Sequence, residues 1–432
     1  MTTLDRQGTG STAPVRKLKM GMIGIGVGGT EMLPAMEAMP ELELMAGADL
    51  NPTTLERFEA RYGARTYTDA EDLCKDPDVE AVWVSSPNRF HAEHAILAAN
   101  HGKHVVVEKP MAITLEEAER MIEAADKNGV KLLAGHTRSF TMPIRAMRRI
   151  IQSGKIGRLR AIHLFAYTDW MLRPRTPDEL DVNQGGGLPY RQVPHQMDTV
   201  RLLGGGMLET IRGSVGQWMP ERPIPGYYSA HMEFTDGTPS SIVHDGYGYF
   251  IGAELVKWGH SNQRYTPEQR VEVRRQMMNG TRDEEADKQA LRIGGDWERK
   301  VFQADNKPSW VPEDLGLLIV SCERGVMRHS ERGIYVYDND GMHDIELEPD
   351  RPMGPAQRRA ELEELYDSLV YGRPLWHDGR WGMATLEATL AIVESSKQRR
   401  EVRLSHQIPV PDGYDADFKV PGYLDSVQTR PR

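Results

Sequence analysis

Only two cysteines, Cys74 and Cys322, occur in 432 residues. Two cannot build a disulfide framework; both read as buried thiols, and a reducing cytoplasm fits them. The chain also lacks any long uncharged apolar run, which argues against a membrane span. A basic excess is missing: the net charge is −10, with no basic stripe to offset it, which argues against a nucleic-acid partner. His91, His94, His101 and His104 have no convincing ligand spacing, so no metal is expected. Residues 1–15 are polar, contain no apolar signal core and read as a disordered tail. No internal repeat is present. What remains, with 39% hydrophobic and 27% charged residues, suits a soluble globular chain long enough for two domains.

The first of these opens with an apolar run, Leu18 to Ile25, leading into Gly24-x-Gly26-x-x-Gly29 and then a helical pattern. Each glycine can do a separate job. Gly24 permits the tight turn, Gly26 lets backbone approach a pyrophosphate, and Gly29 lets helix pack on strand; the helix N-terminus then faces the anion. A second strand pattern, Leu42 to Ala48, ends at Asp49, twenty residues after Gly29. That is the spacing expected of a carboxylate on a ribose 2′-hydroxyl. The carboxylate would repel a 2′-phosphate, so NAD is favoured over NADP; Arg57, on the next helix, is the one nearby cation that could reach.

Strand and helix patterns alternate through the first domain, residues 16–138. Further strands are expected at 81–85, 104–108 and 131–135, with helices between them. Thr114 with Glu117 reads as a capping box. This alternation predicts a parallel, doubly wound Rossmann sheet. Residues 139–404 change character. Strand patterns at 158–167, 210–218, 228–234 and 240–247 follow one another with few helices between, and three more follow at 316–322, 326–330 and 334–337. They predict an α+β domain with a large, open, mainly antiparallel sheet. A polar insertion, 256–313, interrupts it, helices are expected at 355–371 and 385–399, and 405–432 forms a C-terminal extension. An open sheet face favours pairing with a second subunit, so a homodimer or homotetramer is expected.

Two strand ends carry candidate chemistry. Ser86-Pro87-Asn88 with His91 follows one, and Glu108-Lys109-Pro110 follows the next. Ligands bind beyond the carboxyl ends of strands in such sheets. Pro110 biases Lys109 toward an extended conformation, aiming its side chain out of the strand end.

With these elements, and with Gly185-Gly-Gly-Leu, His195 and Asp198, the chain resembles the Gfo/Idh/MocA oxidoreductases. The resemblance implies an NAD(P)-dependent dehydrogenase in which Lys109 and His195 flank the reacting carbinol. The implied cofactor contacts are Gly24, Gly26, Gly28, Gly29, Asp49, Ser86, Pro87, Asn88, His91, Glu108, Lys109 and Arg138. Pro194 is expected as the first helical residue, so the helix dipole would keep His195 neutral as the preferred base, with Asp198 orienting it or capping the helix; Lys109 is the second candidate, an ammonium on the carbinol oxygen or, if desolvated, itself the base. One departure stands out. Arg191 occupies the position, four before the histidine, where the family commonly has Asp.

The pattern Tyr167-Thr-Asp-Trp170-Met-Leu-Arg173-Pro-Arg175, with Asp178-Glu-Leu-Asp181 and His377-Asp-Gly-Arg-Trp-Gly382, resembles the phthalate dihydrodiol dehydrogenase branch. That branch implies oxidation of a cis-dihydrodiol carrying carboxylates to a catechol. Arg173, Arg175, Arg191, Trp170 and His195 become substrate-contact candidates, although each arginine reads equally well as a salt-bridge or surface charge. The alternatives are a sugar or inositol dehydrogenase, which would need hydroxyl-binding groups where Arg191 stands, and a non-catalytic cofactor-binding regulator, which would not need Lys109 and His195.

Overall fold

A computed structural model describes residues 16–136, 138–258, 265–295, 315–347, 355–416 and 418–424. The expected tail, residues 1–15, and parts 259–264 and 296–313 of the expected insertion lie outside the described residues.

The first half builds β1 (Leu18–Ile23), α1 (Val27–Glu37), β2 (Leu42–Ala48), α2 (Pro52–Tyr62), β3 (Arg65–Tyr67), α3 (Ala70–Lys75), β4 (Ala81–Val84), α4 (His91–Asn100), β5 (His104–Val107), α5 (Leu115–Asn128) and β6 (Leu132–Ala134). The six strands form one sheet in the order β3-β2-β1-β4-β5-β6. Every pairing is parallel. The order reverses between β1 and β4, which opens a crevice at their carboxyl ends. All four residues of β4 are buried, as expected of a central strand covered on both faces. Thr114 caps α5, accepting the Glu117 N–H at 3.2 Å. Glu117 closes the turn on the Ile113 N–H (3.0 Å), one residue short of the expected capping box. The sequence reading missed β3 and α3, because three and six residues are too few to display a period.

The second half contains α6 (Met142–Ser153), β7 (Leu159–Tyr167), α7 (Leu188–Gly204), β8 (Leu208–Gly216), β9 (Tyr227–Phe234), β10 (Pro239–Asp245), α8 (Pro267–Met278), α9 (Glu284–Gln289), β11 (Leu317–Cys322), β12 (Gly325–His329), β13 (Gly333–Asp338), β14 (Gly341–Glu346), α10 (Pro355–Val370), α11 (Gly379–Gln398) and β15 (Val402–Arg403). Its nine strands run β14-β13-β12-β11-β7-β10-β9-β8-β15. Only β7 with β10 pairs parallel among these strands. Burial alternates along β9 and β10, so one face meets the core and the other stays open. Helices α7 and α11 pack on the core face. The C-terminal extension returns to this core, where Val410, Tyr414, Val420 and Tyr423 are buried.

Two helix starts differ from expectation. α11 begins six residues earlier than anticipated, because Asp378 accepts the Trp381 N–H at 2.9 Å and caps it. α7 begins at Leu188, so Pro194 lies inside the helix instead of opening it. Gly185 (φ +78°) and Gly187 (φ +93°) hold the preceding turn in the left-handed region. Pro189 occupies the first turn, where its missing N–H costs nothing. His195 therefore stands mid-helix, and the dipole argument for its neutral ring falls.

Candidate active site

The glycine turn has the shape a dinucleotide needs. At Gly24 (φ +85°) a Cβ would sit 2.6 Å from the Ser86 nitrogen. At Gly29 it would meet the Gly24 carbonyl oxygen at 2.6 Å, whereas at Gly26 and Gly28 it would enter open space. A cradle thus opens at the start of α1, whose first turn carries no acidic residue. Asp49 accepts the Ile25 N–H through Oδ2 and the Asn51 N–H through Oδ1, each at 2.8 Å. Each oxygen keeps a lone pair that a ribose hydroxyl can use. These residues fit NAD: the open backbone at Gly26 and Gly28 would leave room for a pyrophosphate, and Asp49 could accept from a ribose hydroxyl. Arg57 donates to the Ile293 carbonyl at 2.8 Å.

Beyond β4 and β5, Ser86 and Lys109 stand at adjacent strand ends. The Lys109 ammonium donates to the Arg191 carbonyl on α7 (2.9 Å), crossing from one domain to the other. Asn88 crosses beside it, donating to the Gly185 carbonyl and accepting from Arg191 NH1, both at 2.9 Å. His195 lies one helical turn beyond Arg191, on the same face. Lys109 thus bonds the α7 backbone at the domain junction, one helical turn from the position of His195. His91 is a correction. Its ring is buried, with Nδ1 2.7 Å from the Pro110 carbonyl and Nε2 2.7 Å from the Ser86 carbonyl. Both ring nitrogens are thus engaged in bracing the two loops. Pro87 is exposed, and the Ser86 hydroxyl meets His94 (2.9 Å). Glu108 accepts from Arg358 (3.0 Å), which also reaches Glu31 (2.7 Å). Arg138 is half-buried just before α6.

Asp198 is a second correction. It accepts the Trp381 indole N–H at 2.5 Å and lies 3.9 Å from His136. Its hydrogen bond ties α7 to α11 rather than orienting His195.

Two of the three arginines anticipated as substrate contacts, Arg175 and Arg191, converge on a carboxylate that sequence reasoning passed over, Glu179. Arg191 NH2 and Arg175 NH1 (3.5 Å) approach its Oε1, and Lys288 donates to Oε2 at 2.6 Å. Burial pushes this carboxyl up, yet Arg191, Arg175 and Lys288 outweigh it and hold it well below the usual carboxylate range. Arg175 stacks on buried Trp170, 3.7 Å from the ring centroid, and donates to the Trp170 carbonyl. Burial pushes Arg175 down to about 9, against the pull of Glu179. Arg173 meets Asp169 at 3.3 Å, and Arg222 meets Glu284 at 2.6 Å. Among the described residues, six cations, Arg173, Arg175, Arg191, Arg222, Arg282 and Lys288, here face four carboxylates, Asp169, Glu179, Glu284 and Asp287. The capping box Thr176-x-x-Glu179 was the available signal for Glu179. Lys288, inside the insertion, had none.

Among the described residues no group of three or more His, Cys, Asp or Glu could hold a metal ion, and no helix is long and apolar enough to cross a membrane.

Comparison with known proteins gives concordant matches. Residues 18–136 match the GFO/IDH/MocA oxidoreductase model with its NAD-binding Rossmann fold, and 144–245 match a GFO/IDH/MocA C-terminal domain. The 1-carboxy-3-chloro-3,4-dihydroxycyclohexa-1,5-diene dehydrogenase of Comamonas testosteroni is 35% identical over 385 residues, covering 88% of this chain and 95% of that one. A crystal structure from Bordetella bronchiseptica RB50, described only as a dehydrogenase, superposes with a TM-score of 0.82 at 32% identity, covering 90% of this chain and all of the other. A levoglucosan dehydrogenase in complex with NADH and levoglucosan shares the fold, with a TM-score of 0.70 at 19% identity over 90% of this chain and 99% of its own.

Proposed function

Because the chain belongs to the Gfo/Idh/MocA family of NAD-binding oxidoreductases, we propose that it oxidises a cis-dihydrodiol of a carboxylated ring to the catechol. The observation that carries this reading is the buried cation excess around Glu179, joined through Arg191 to the site of Lys109 and His195. A polyol substrate gives such a cluster no purpose, whereas a carboxylate does. The Comamonas relative, named for a carboxylated dihydroxycyclohexadiene, supports the same choice.

NAD+, held at Gly24, Gly26, Gly28, Gly29 and Asp49, supplies the hydride acceptor. The chain's own residues handle the proton and the charge. His195 takes the carbinol hydroxyl proton. Lys109, an ammonium donating to a carbonyl at 2.9 Å, turns to the carbinol oxygen and stabilises developing alkoxide. Arg191 and its neighbours hold the ring carboxylate, which orients the diol carbon. Loss of hydride and proton leaves a hydroxy-dienone whose tautomerisation to the catechol gains aromaticity. Asn88, His91 and Glu108 position the loops that carry Ser86 and Lys109.

We also infer a homo-oligomer, formed through the open face of the nine-stranded sheet where Phe165 is exposed. A reducing cytoplasm suits the two buried free thiols, Cys74 and Cys322.

The test is direct. Pure protein is mixed with NAD+ and either carboxylated cis-dihydrodiols or a panel of polyols and inositols, and absorbance of the reduced coenzyme is followed. Turnover of the carboxylated diols, at kcat/KM at least roughly tenfold above any polyol, supports the reading. Preference for a polyol sinks it.

A further inference from the structure

The segment Asp283 to Gly294 lies outside both family-matched regions, yet it touches both halves of the cleft. At its start, Glu284 Oε2 accepts the Arg175 backbone N–H (2.8 Å) and Oε1 accepts from Arg222 (2.6 Å). Four residues on, Lys288 leaves the same helix face and donates to Glu179 at 2.6 Å. The far end is anchored in the coenzyme domain. Ile293, 2% exposed, packs in one cluster with Ile25, Leu55 and Phe58. Arg57 donates to the Ile293 carbonyl at 2.8 Å. Gly294 (φ +78°) lies so close that a Cβ would stand 3.0 Å from Arg57 Cδ. The six residues of α9 are too few to hold a helix alone, so these two anchors set where Lys288 points.

We propose that Lys288 is a specificity-determining residue for the carboxylate of the substrate, carried over the site by this strap. Glu179 is a carboxylate that Arg191 and Lys288 share, one on each oxygen. Lys288 takes Oε2 of Glu179 while Arg191 and Arg175 share Oε1, so three cations meet one carboxylate and the net positive charge left over can serve an incoming anion. Without Lys288, the two arginines alone balance Glu179 and the local field loses a unit charge. In a partly buried site a unit charge several ångströms away changes anion affinity by roughly tenfold. The strap thus supplies a charge that neither family-matched region contains. This inference deepens the proposed function and rests on it.

The experiment compares wild type, Lys288→Met and Lys288→Arg with NAD+ and two substrates: a carboxylated cis-dihydrodiol and its uncharged carboxamide. KM and kcat are read separately, and the melting temperature confirms the fold. Lys288→Met is expected to raise KM for the carboxylated diol roughly tenfold, to leave kcat within about twofold, and to leave KM for the carboxamide unmoved. Lys288→Arg restores most of the loss. Lys288→Gln, which keeps a donor to Glu179, replaces the methionine variant if that one does not fold. Equal changes for both substrates, or none, overturn the assignment. Failure of the functional reading looks different: wild type itself then turns over no carboxylated diol, and the role of Lys288 falls with it.

Discussion

The Lys109 ammonium donates to the backbone carbonyl of Arg191 at 2.9 Å, joining the end of β5 to the middle of α7. This bond brings a cation from the coenzyme domain within a helical turn of His195, on the other domain. If the pair does the chemistry, removing either should strike turnover before binding. Lys109→Ala and His195→Ala are each expected to lower kcat at least ~10²-fold, while NAD affinity, measured by protein fluorescence, stays near wild type. Near-normal kinetics in both single variants would remove the mechanism.

Coenzyme choice rests on Asp49, whose two oxygens are fixed by the Ile25 and Asn51 N–H groups. On the proposed reading its remaining lone pairs would make charge-assisted hydrogen bonds to ribose hydroxyls, each contributing about 1.5–3 kcal/mol. Asp49→Ser should therefore raise KM for NAD by roughly 10- to 100-fold. Activity with NADP should gain little, because Arg57 is held by the Ile293 carbonyl. Equal use of both coenzymes by the wild type would refute this account.

Asp198 separates a catalytic reading from a structural one. The carboxylate is fully buried against the Trp381 indole. Trp381→Phe keeps the ring but leaves that carboxylate without its donor, at a cost of about 1–3 kcal/mol. The midpoint of urea unfolding should fall while kcat holds. A drop in kcat at unchanged stability would return Asp198 to the catalytic set.

How far the residues spoke in advance depended on the range of the signal. The turn Gly24-Gly26-Gly29 and Asp49 carry their meaning within a few dozen residues, because strand, turn and helix are local and each glycine answers a local steric demand. Glu108-Lys109-Pro110 likewise marked a strand end. His91 was visible as a residue but not as a brace, since its partners, Ser86 and Pro110, are carbonyls that no side-chain pattern encodes. Pro194 misled, because a proline inside a helix and one opening a helix look alike until Gly185 and Gly187 are known to turn left-handed. The Lys288–Glu179 pair spans 109 positions through a polar insertion, and only the folded strap brings them together.

The acid limb of stability should report on Glu179. Arg191, Arg175 and Lys288 hold its folded pKa below that of the unfolded chain despite burial. A depressed carboxyl contributes stability that is present above the unfolded value of about 4.3 and is lost as pH falls toward the folded one. Glu179→Gln removes that contribution and leaves buried cations unanswered, which at pH 7 should cost about 3–5 kcal/mol. Below about pH 4 this carboxyl takes up a proton in the unfolded chain but not in the folded one, so wild-type stability falls and the two stability curves should converge. Urea titrations of both proteins at pH 7 and pH 3.5 measure the gap. A gap that stays constant between those pH values would mean that Glu179 is not held by its three cations, and the charge balance argued for the substrate pocket would have to be redrawn.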